Sequence, residues 1–427
     1  MELILLFGVL FGLMLLGTPI FIAMLASALV TLGVTGLGSA TVLPNQMASG
    51  VGASQVIAIP FFILMGELMS RAGLTQRIVD LLMFFFGRLP GGLAHVSVGV
   101  NAFAASISGS APASASMVSA AMLPSMKRAG YRPAFSSAIN ASAAVLGPVI
   151  PPSIPLVFVS LVTSVSLGQL FIGGIGPGIL MAAALFGVIA IQAHRGRLPG
   201  RVEVRDRPDI SLPRLVFRAL PALGAPVFII IGILGGFVTI TEVAIIAAFY
   251  ALSLGLIYRS IKLSSLPQVF AETSVFSSTI MMLFAAVGGF TYIIAVQRVG
   301  DQVAEFVGTL EVGALGFLLL AMLFFLIVGT VLDAIPAILI FLPILMPVAI
   351  ELGIDPVHFG VITVVNLMIG LITPPVGALL FVLMKLGQVP FGELVREVFP
   401  FLLGLVLALL ITVLAAPVVT FLPELLF

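Results

Sequence analysis

Two stretches of the chain, related by a constant offset, leave little freedom in what it can fold into. The first runs from Ser106 to Pro155, where SISGSAPASASMVSAAMLP is followed, after a basic turn, by INASAAVLGPVIPPSIP. Its apolar arms are each interrupted by small, hydroxyl-rich or proline-rich sequence at points where a membrane helix would be continuous. Inside a bilayer an open backbone survives only where protein or a water-filled cavity surrounds it, so two breaks close together predict the walls of one polar site. The second stretch repeats the first 223 positions later: Pro124, Gly130, Pro133, Pro151 and Pro152 become Pro347, Gly353, Pro356, Pro374 and Pro375.

Composition supplies the setting. Hydrophobic residues make up 61% of the 427 and charged residues 8%, far below the charged fraction of about a quarter typical of soluble domains. The apolar runs approach the length of a membrane-spanning helix, whereas a barrel would show alternating segments of about ten residues. The fold class is therefore an all-α polytopic membrane protein, in contact with membrane lipid. The net charge of +1, with no basic run interleaved with aromatics, gives no basis for a nucleic-acid partner. Cysteine is absent, which removes disulfides and thiolate chemistry. The N-terminus lacks a basic region and cleavage site and reads as the first membrane helix.

In chain order, the interruption Gly17-Thr18-Pro19 predicts two helices within residues 3 to 33. A polar stretch then reaches Gly50, and a helix follows from about Gln55 to Ser70. Residues 74 to 87 form a short amphipathic piece. The hairpin arms run from about Leu93 to Ile107 and from Ala113 to Met126, and a broken span starts near Ala134. A helix from about Phe171 to Ala193 leads to a loop, His194 to Arg218, that holds seven arginines. The second half repeats the plan with helices at roughly 219–237, 241–258 and 268–296, an amphipathic piece around 300–311, the second hairpin and broken span, and a last helix at about 398–422. Thr241-Glu242 reads as a helix start. The organisation expected is first-repeat scaffold helices at 1–92, a transport part at 93–170, a connecting helix at 171–193, a cytoplasmic linker at 194–218, second-repeat scaffold at 219–312, transport part at 313–386, and a C-terminal segment at 387–427.

Basic residues set the orientation. With the arginine loop in the cytoplasm, every Lys and Arg except Arg298 falls on that side, provided segments 93–126 and 313–349 each enter and leave on one face. Both termini then face the periplasm, and the halves are inverted copies.

At each break the chemistry follows from backbone groups. The first tip, Ser108-Gly109-Ser110-Ala111-Pro112, ends one helix and begins another. Carbonyls freed from the first arm can coordinate a cation, and the amides opening the second arm can face an anion. Prolines in Gly147–Ser153 leave carbonyls without helical partners. Ser108, Gly109, Ser110, Gly147, Ile150 and Pro151 are thus the candidate first sodium site. The second comprises Thr330, Asp333, Thr373, Pro374 and Gly377. Asp333 aligns with Ser110, and a carboxylate at that depth requires a cation, water or a helix end. Ser114, Asn140, Ser153 and Pro336 are candidate substrate contacts. Ser114, with Ser116, Ser119 and Ala120, equally fits a close-packed helix face, and Asn140, Ser142 and Asn366 fit either a site lining or bonds between helices. Glu67 and Arg71 read as a surface pair. His95 and His358 read as interfacial, with no second ligand at metal spacing. No cofactor is expected beyond sodium as coupling ion.

The sequences GxxLDxxPAI at 329–338 and LPILMPVAIELGIDPVHFGVITVVNLMIGLITPPVG, with IPFFILMGELMSRAG and the SGSAPAS tip, resemble the large membrane subunit of tripartite ATP-independent periplasmic (TRAP) transporters, the DctM type. The resemblance covers essentially the whole chain and, more distantly, extends to the ion transporter superfamily. The tips SGSAPAS and TVLDAIP depart from the Ser-Asn-Thr pattern of sodium-coupled dicarboxylate carriers. What the resemblance implies is an elevator-type secondary transporter, working with a separate small four-helix membrane subunit and a periplasmic substrate-binding protein that delivers an organic acid. It would sit in the bacterial inner membrane. The alternatives are a stand-alone sodium/organic-anion symporter, a non-transporting membrane scaffold and a membrane enzyme. Against the last, no nucleophile and base pair falls at mid-depth.

Overall fold

The computed structural model describes residues 2–36, 41–52, 54–199 and 211–427, apart from the side chains at 2, 54, 55 and 105–108. The first repeat consists of α1 (Glu2–Leu15), α2 (Ile20–Thr35), α3 (Val42–Gly52), α4 (Ala58–Arg71), α5 (Leu74–Phe86), the hairpin α6 (Gly92–Ser108) and α7 (Ala111–Arg128), the broken span α8 (Pro133–Ala144) and α9 (Ile154–Thr163), and α10 (Leu167–His194). The second consists of α11 (Leu212–Leu234), α12 (Ile240–Ile257), α13 (Leu266–Val296), α14 (Val299–Thr309), the hairpin α15 (Gly313–Val331) and α16 (Ala334–Glu351), the broken span α17 (Pro356–Gly370) and α18 (Ala378–Gly387), and α19 (Phe391–Leu414), followed by α20 (Pro417–Leu426). Seven of these helices are long and apolar enough to cross a membrane. From α1 to its counterpart α11, reading α1, α2, α3–α4, α8–α9 and α10 each as one crossing gives five. That number is odd, so the second repeat runs inverted.

Several boundaries depart from the sequence expectation. The polar stretch before Gly50, to which the sequence assigns no element, contains helix α3. It forms because α3 lies on α13 through glycines: a Cβ on Gly50 would come within 2.7 Å of Phe284 O, and one on Gly288 within 2.2 Å of Gln46 O. Small residues let the two backbones touch, and such contact drives helix association in lipid without a hydrophobic stripe. The arginine loop is shorter than expected, because Arg214 and Arg218 already lie in α11. The last helix is two, divided at Ala415 ahead of Pro417, which opens α20. The start of α12 is capped by Thr239, not Thr241. Thr239 Oγ1 accepts from Glu242 N at 3.3 Å, and Thr239 N donates back to the Glu242 carboxylate at 2.7 Å, a reciprocal box that satisfies two free amides.

The scaffold helices interlock across the repeats: α4 packs on α12, α5 on α11, and α13 on α2 and α3. At the basic end, Arg71 holds Glu67 at 2.6 Å and also Glu272 of α13, so the expected surface pair is a three-residue bridge between α4 and α13. The hairpins and broken spans pack on one another, with α9 on α16 and α18 on α7 and α8, flanked by α10 and α19, and they also meet the other helices, α6 on α4 and α5 and α16 on α13 and α14. His95 and His358 are both buried within the protein. His95 clusters with the rings of Phe86 and Phe186, and His358 Nε2 is 2.9 Å from Thr412 O.

Candidate functional site: two junctions of tip and break

Each hairpin tip meets the break of its own repeat, and the two junctions differ. The arms, 17 and 18 residues in the first hairpin and 19 and 18 in the second, are each about 26–28 Å long. They exceed the sequence expectation because residues beside each tip remain helical. Each tip rests against the break of its own repeat, Gly109 on Ile154 and Thr330 on Gly377.

At the first junction Gly109 adopts φ +62°, and Ser110, extended at φ −129° and ψ 122°, starts α7. Glycine is required at 109 for space as well as for torsion, since a Cβ there would lie 2.6 Å from Ile154 Cγ1 at the start of α9. The break, 145–153, turns through Val149 N to Leu146 O at 3.1 Å and Ile150 N to Leu146 O at 3.0 Å. It then passes a cis Pro151–Pro152 bond, matched by a cis Pro374–Pro375 bond in the second break. Ser153 closes it: its hydroxyl accepts from Leu156 N at 3.2 Å and donates to Pro148 O, capping α9. Gly147 and Pro151 are buried, and Ile150 is partly buried against Gly178. Between Gly109, Pro152, Ser153 and the scaffold side chains Phe62 and Met65 remains a cavity of about 10 Å³, enough for one water-sized particle. On the other side of the tip, Ser110, Pro112 and Ala113 open on a cavity of about 370 Å³ walled by Glu67 and Ser70 of α4 and Glu272 and Thr273 of α13.

The second junction is tied through backbone. Gly377 N donates to Thr330 O at 3.2 Å, joining the end of α15 to the break at 371–377. The approach is close because Gly329 and Gly370 face one another; a Cβ on Gly370 would come within 2.6 Å of Gly329 Cα. Thr330 and Thr373 spend their hydroxyl hydrogens on Ile327 O (2.7 Å) and Ile369 O (2.8 Å), which leaves oxygen lone pairs as acceptors. Asp333 caps α16, accepting from Ala334 N at 2.6 Å, the helix-end partner that its depth requires. Pro336 is buried in the first turn of that helix. Whereas the first break is almost wholly enclosed, Asp333, Pro375 and Val376 are exposed.

Ser114 and Asn140 bond to helices and to each other's neighbours. Asn140 Oδ1 accepts from Ser97 Oγ at 2.8 Å and from Asn101 Nδ2 at 3.1 Å, and Ser114 Oγ donates to Asn101 Oδ1 at 3.4 Å. All four residues are fully buried, and together they pin α6, α7 and α8. Ser97 and Asn101 were not legible as members of this network, because a polar residue inside a membrane helix does not reveal which neighbour it meets. Ser142 Oγ and Asn366 Oδ1 are buried without a hydrogen-bond partner among the described residues. The side chain of Ser108 lies outside the described residues. Among the described residues no three His, Asp or Glu converge as metal ligands.

This geometry defines a class: a multi-pass helical membrane protein of two inverted repeats, each with a re-entrant hairpin closing on a broken helix. Residues 7–418 match the family model of the tripartite ATP-independent periplasmic transporter, DctM component. The chain is 38% identical to the C4-dicarboxylate TRAP transporter large permease protein DctM of Pseudomonas aeruginosa, over 83% of each chain. It is 34% identical to the sialic acid TRAP transporter large permease protein SiaM of Vibrio cholerae, over 97% of this chain and 96% of that protein. In fold it is similar to the Alcanivorax borkumensis YdaH transporter, whose crystal structure has a TM-score of 0.61 at 14% identity, covering 88% of this chain and 87% of that one. The protein belongs to the DctM family of TRAP transporter large permeases.

Proposed function

We propose that the chain is the membrane-spanning permease of a sodium-coupled importer, taking up an organic acid delivered by a periplasmic binding protein and working with a small membrane subunit. Family membership supports a transporter subunit with those two kinds of partner, and the names of the two relatives above, sialic acid and C4-dicarboxylate, are both carboxylates. The observation that carries the sodium reading is Asp333: an exposed carboxylate at the second tip, whose junction with the break also includes Thr330 and Thr373 with hydroxyl oxygens left as acceptors. No Lys or Arg lies in either tip, so a substrate carboxylate would be held by helix-end amides, hydroxyls and co-bound sodium. A helix end contributes up to about 2 kcal/mol in a partly buried setting. Without sodium the site should therefore bind the acid poorly, which is coupling. The two hairpins and broken spans would move as one body past the interlocked scaffold, in an elevator-type cycle.

The test is thermal stability of the purified protein in sodium against potassium or choline at equal concentration. A ligand at a hundred times its dissociation constant adds about 2.7 kcal/mol to the folded state. The expected result is a sodium-specific rise in Tm that Asp333→Asn reduces. No rise with any monovalent cation, together with acid uptake at full rate in sodium-free vesicles, would reject the proposal. Uptake that survives without any binding protein would instead favour a stand-alone symporter.

A further inference from the structure

Where α4 turns into α5, two hydroxyls converge on one sulfur. Ser70 Oγ, at the end of α4, and Thr75 Oγ1, in the first turn of α5, each donate to Met117 Sδ at 3.2 Å. Between them Gly73, at φ +68°, makes the elbow, a backbone conformation that residues other than glycine rarely adopt. Ser70 and Thr75 belong to the first-repeat scaffold, whereas Met117 stands on the hairpin arm α7, about two turns from Ser110 of the first tip. The sulfur therefore ties the hairpin to the elbow, beside the packing of α6 on α4 and α5. Two features let this tie open. A thioether is a weak acceptor on a flexible, unbranched side chain. Ser70 and Met117 also both line the cavity of about 370 Å³ beside the first tip, so water can take the sulfur's place when the arm withdraws. The tie has no copy in the second repeat, where the positions offset by 223 from Ser70, Thr75 and Met117 are Ile293, Arg298 and Ile340, none with a hydroxyl or a sulfur. Inverted repeats that each made this contact would balance one another. A contact made by one repeat alone favours the arrangement in which it is closed.

We propose that Met117, Ser70 and Thr75 form a clasp that holds the first hairpin against the α4–α5 elbow and sets how much of the protein occupies this arrangement. The clasp rests on the elevator-type reading of the proposed function, and it adds to that reading the contact that biases the movement. Because both donors share one acceptor, withdrawal of α7 breaks both bonds together, and the three residues act as one interaction between the two parts. Met117 is a positioning residue: it keeps the hairpin where Ser110, Pro112 and Ala113 open on the cavity.

The experiment is a pulsed electron-resonance distance measurement on the purified full-length chain, which has no native cysteine. Spin labels go on two exposed positions, Lys262→Cys on the scaffold and Lys127→Cys on α7. Two separations are expected, one of them matching this structure. Met117→Leu keeps the apolar bulk and removes the acceptor, and it should lower the ratio of the matching population to the other about threefold, the loss of two weak hydrogen bonds. Ser70→Ala with Thr75→Val should lower it equally, and adding Met117→Leu to that pair should change nothing more, because one shared interaction is lost only once. Met117→Gln, of similar length and with a carbonyl acceptor, should keep the wild-type ratio or raise it. Two populations whose ratio neither Met117→Leu nor the hydroxyl pair moves, or shifts that add in the triple variant, overturn the clasp and leave the elevator reading standing. A single separation in every sample, wild type included, overturns both. Should Met117→Leu fail to fold, the hydroxyl pair, made with methionine and with glutamine at 117, decides by the same ratio: it must fall in both backgrounds.

Discussion

Asn140 stands where α6, α7 and α8 meet, and its carbonyl oxygen is the shared acceptor of Ser97 and Asn101. Replacing it with leucine would leave two buried donors unsatisfied in a low-dielectric interior. Such groups cost about 1–3 kcal/mol each, whereas the hydrogen bonds themselves contribute only about 1 kcal/mol net. Asn140→Leu should therefore lower the Tm in sodium-free buffer by more than Asn140→Ser, which keeps an acceptor. Equal Tm values for the two would show that the network is not holding the hairpin. The second repeat has no such network, since the positions offset by 223 from Ser97, Asn101 and Ser114 are Leu320, Phe324 and Ala337. Of the residues that sequence singled out, those on the backbone path of the tips and breaks stand where chain geometry demanded. The polar side chains in mid-helix were ambiguous in sequence because α-helical register does not distinguish a neighbour helix from a ligand. Ser153 illustrates this: it lies at the break as expected, and its hydroxyl serves α9 as a cap.

At the scale of elements, the hairpins and broken spans were legible because proline and glycine interrupt helices for reasons that hold in any environment. Helix α3 was not, since its polar composition offers no membrane pattern and its partner α13 lies more than two hundred residues away in sequence. The split of α19 from α20 was missed because Ala415 and Ala416 continue an apolar run without a breaker before Pro417. The contact of α15 with α17 tests how tightly a junction must close. In Gly370→Ala the new Cβ would meet backbone atoms of Gly329 at 2.6 Å. Neither helix can yield locally, so the two must separate, at a cost of about 1–3 kcal/mol for overpacking, and the Gly377 N to Thr330 O bond lengthens with them. The expected outcome is loss of the sodium-specific rise in Tm. In the control, Gly187→Ala on α10, the added methyl meets nothing within 4 Å and the rise should remain. A full sodium response in Gly370→Ala would remove the second junction from the ion site.

For the whole molecule, an odd number of crossings per repeat and the distribution of basic residues predict one arrangement, in which the acidic residues divide between the two faces: Glu67, Asp80, Glu272, Glu393 and Glu397 stay among the bases. In the orientation that gathers the lysines and arginines in the cytoplasm, Glu242, Asp301, Glu305, Glu311, Glu351, Asp355 and Glu424 all face the periplasm, and Arg298, the one base among them, is paired with Asp301 at 2.6 Å. The chain has no cysteine, so single reporters can be introduced without altering a background. Both repeats offer exposed positions: Arg88 and Lys262 on the face predicted to be cytoplasmic, Glu311 and Glu351 on the face predicted to be periplasmic. A membrane-impermeant maleimide added to spheroplasts should modify Glu311→Cys and Glu351→Cys, and should reach Arg88→Cys and Lys262→Cys only after permeabilisation. The complementary pattern would keep the inverted repeats and reverse their orientation. Labelling of Arg88→Cys and Glu311→Cys from the same side would do more. These positions end α5 and α14, equivalent pieces of the two repeats, so equal access would mean that the repeats are parallel and that the two tips approach the membrane centre from one face.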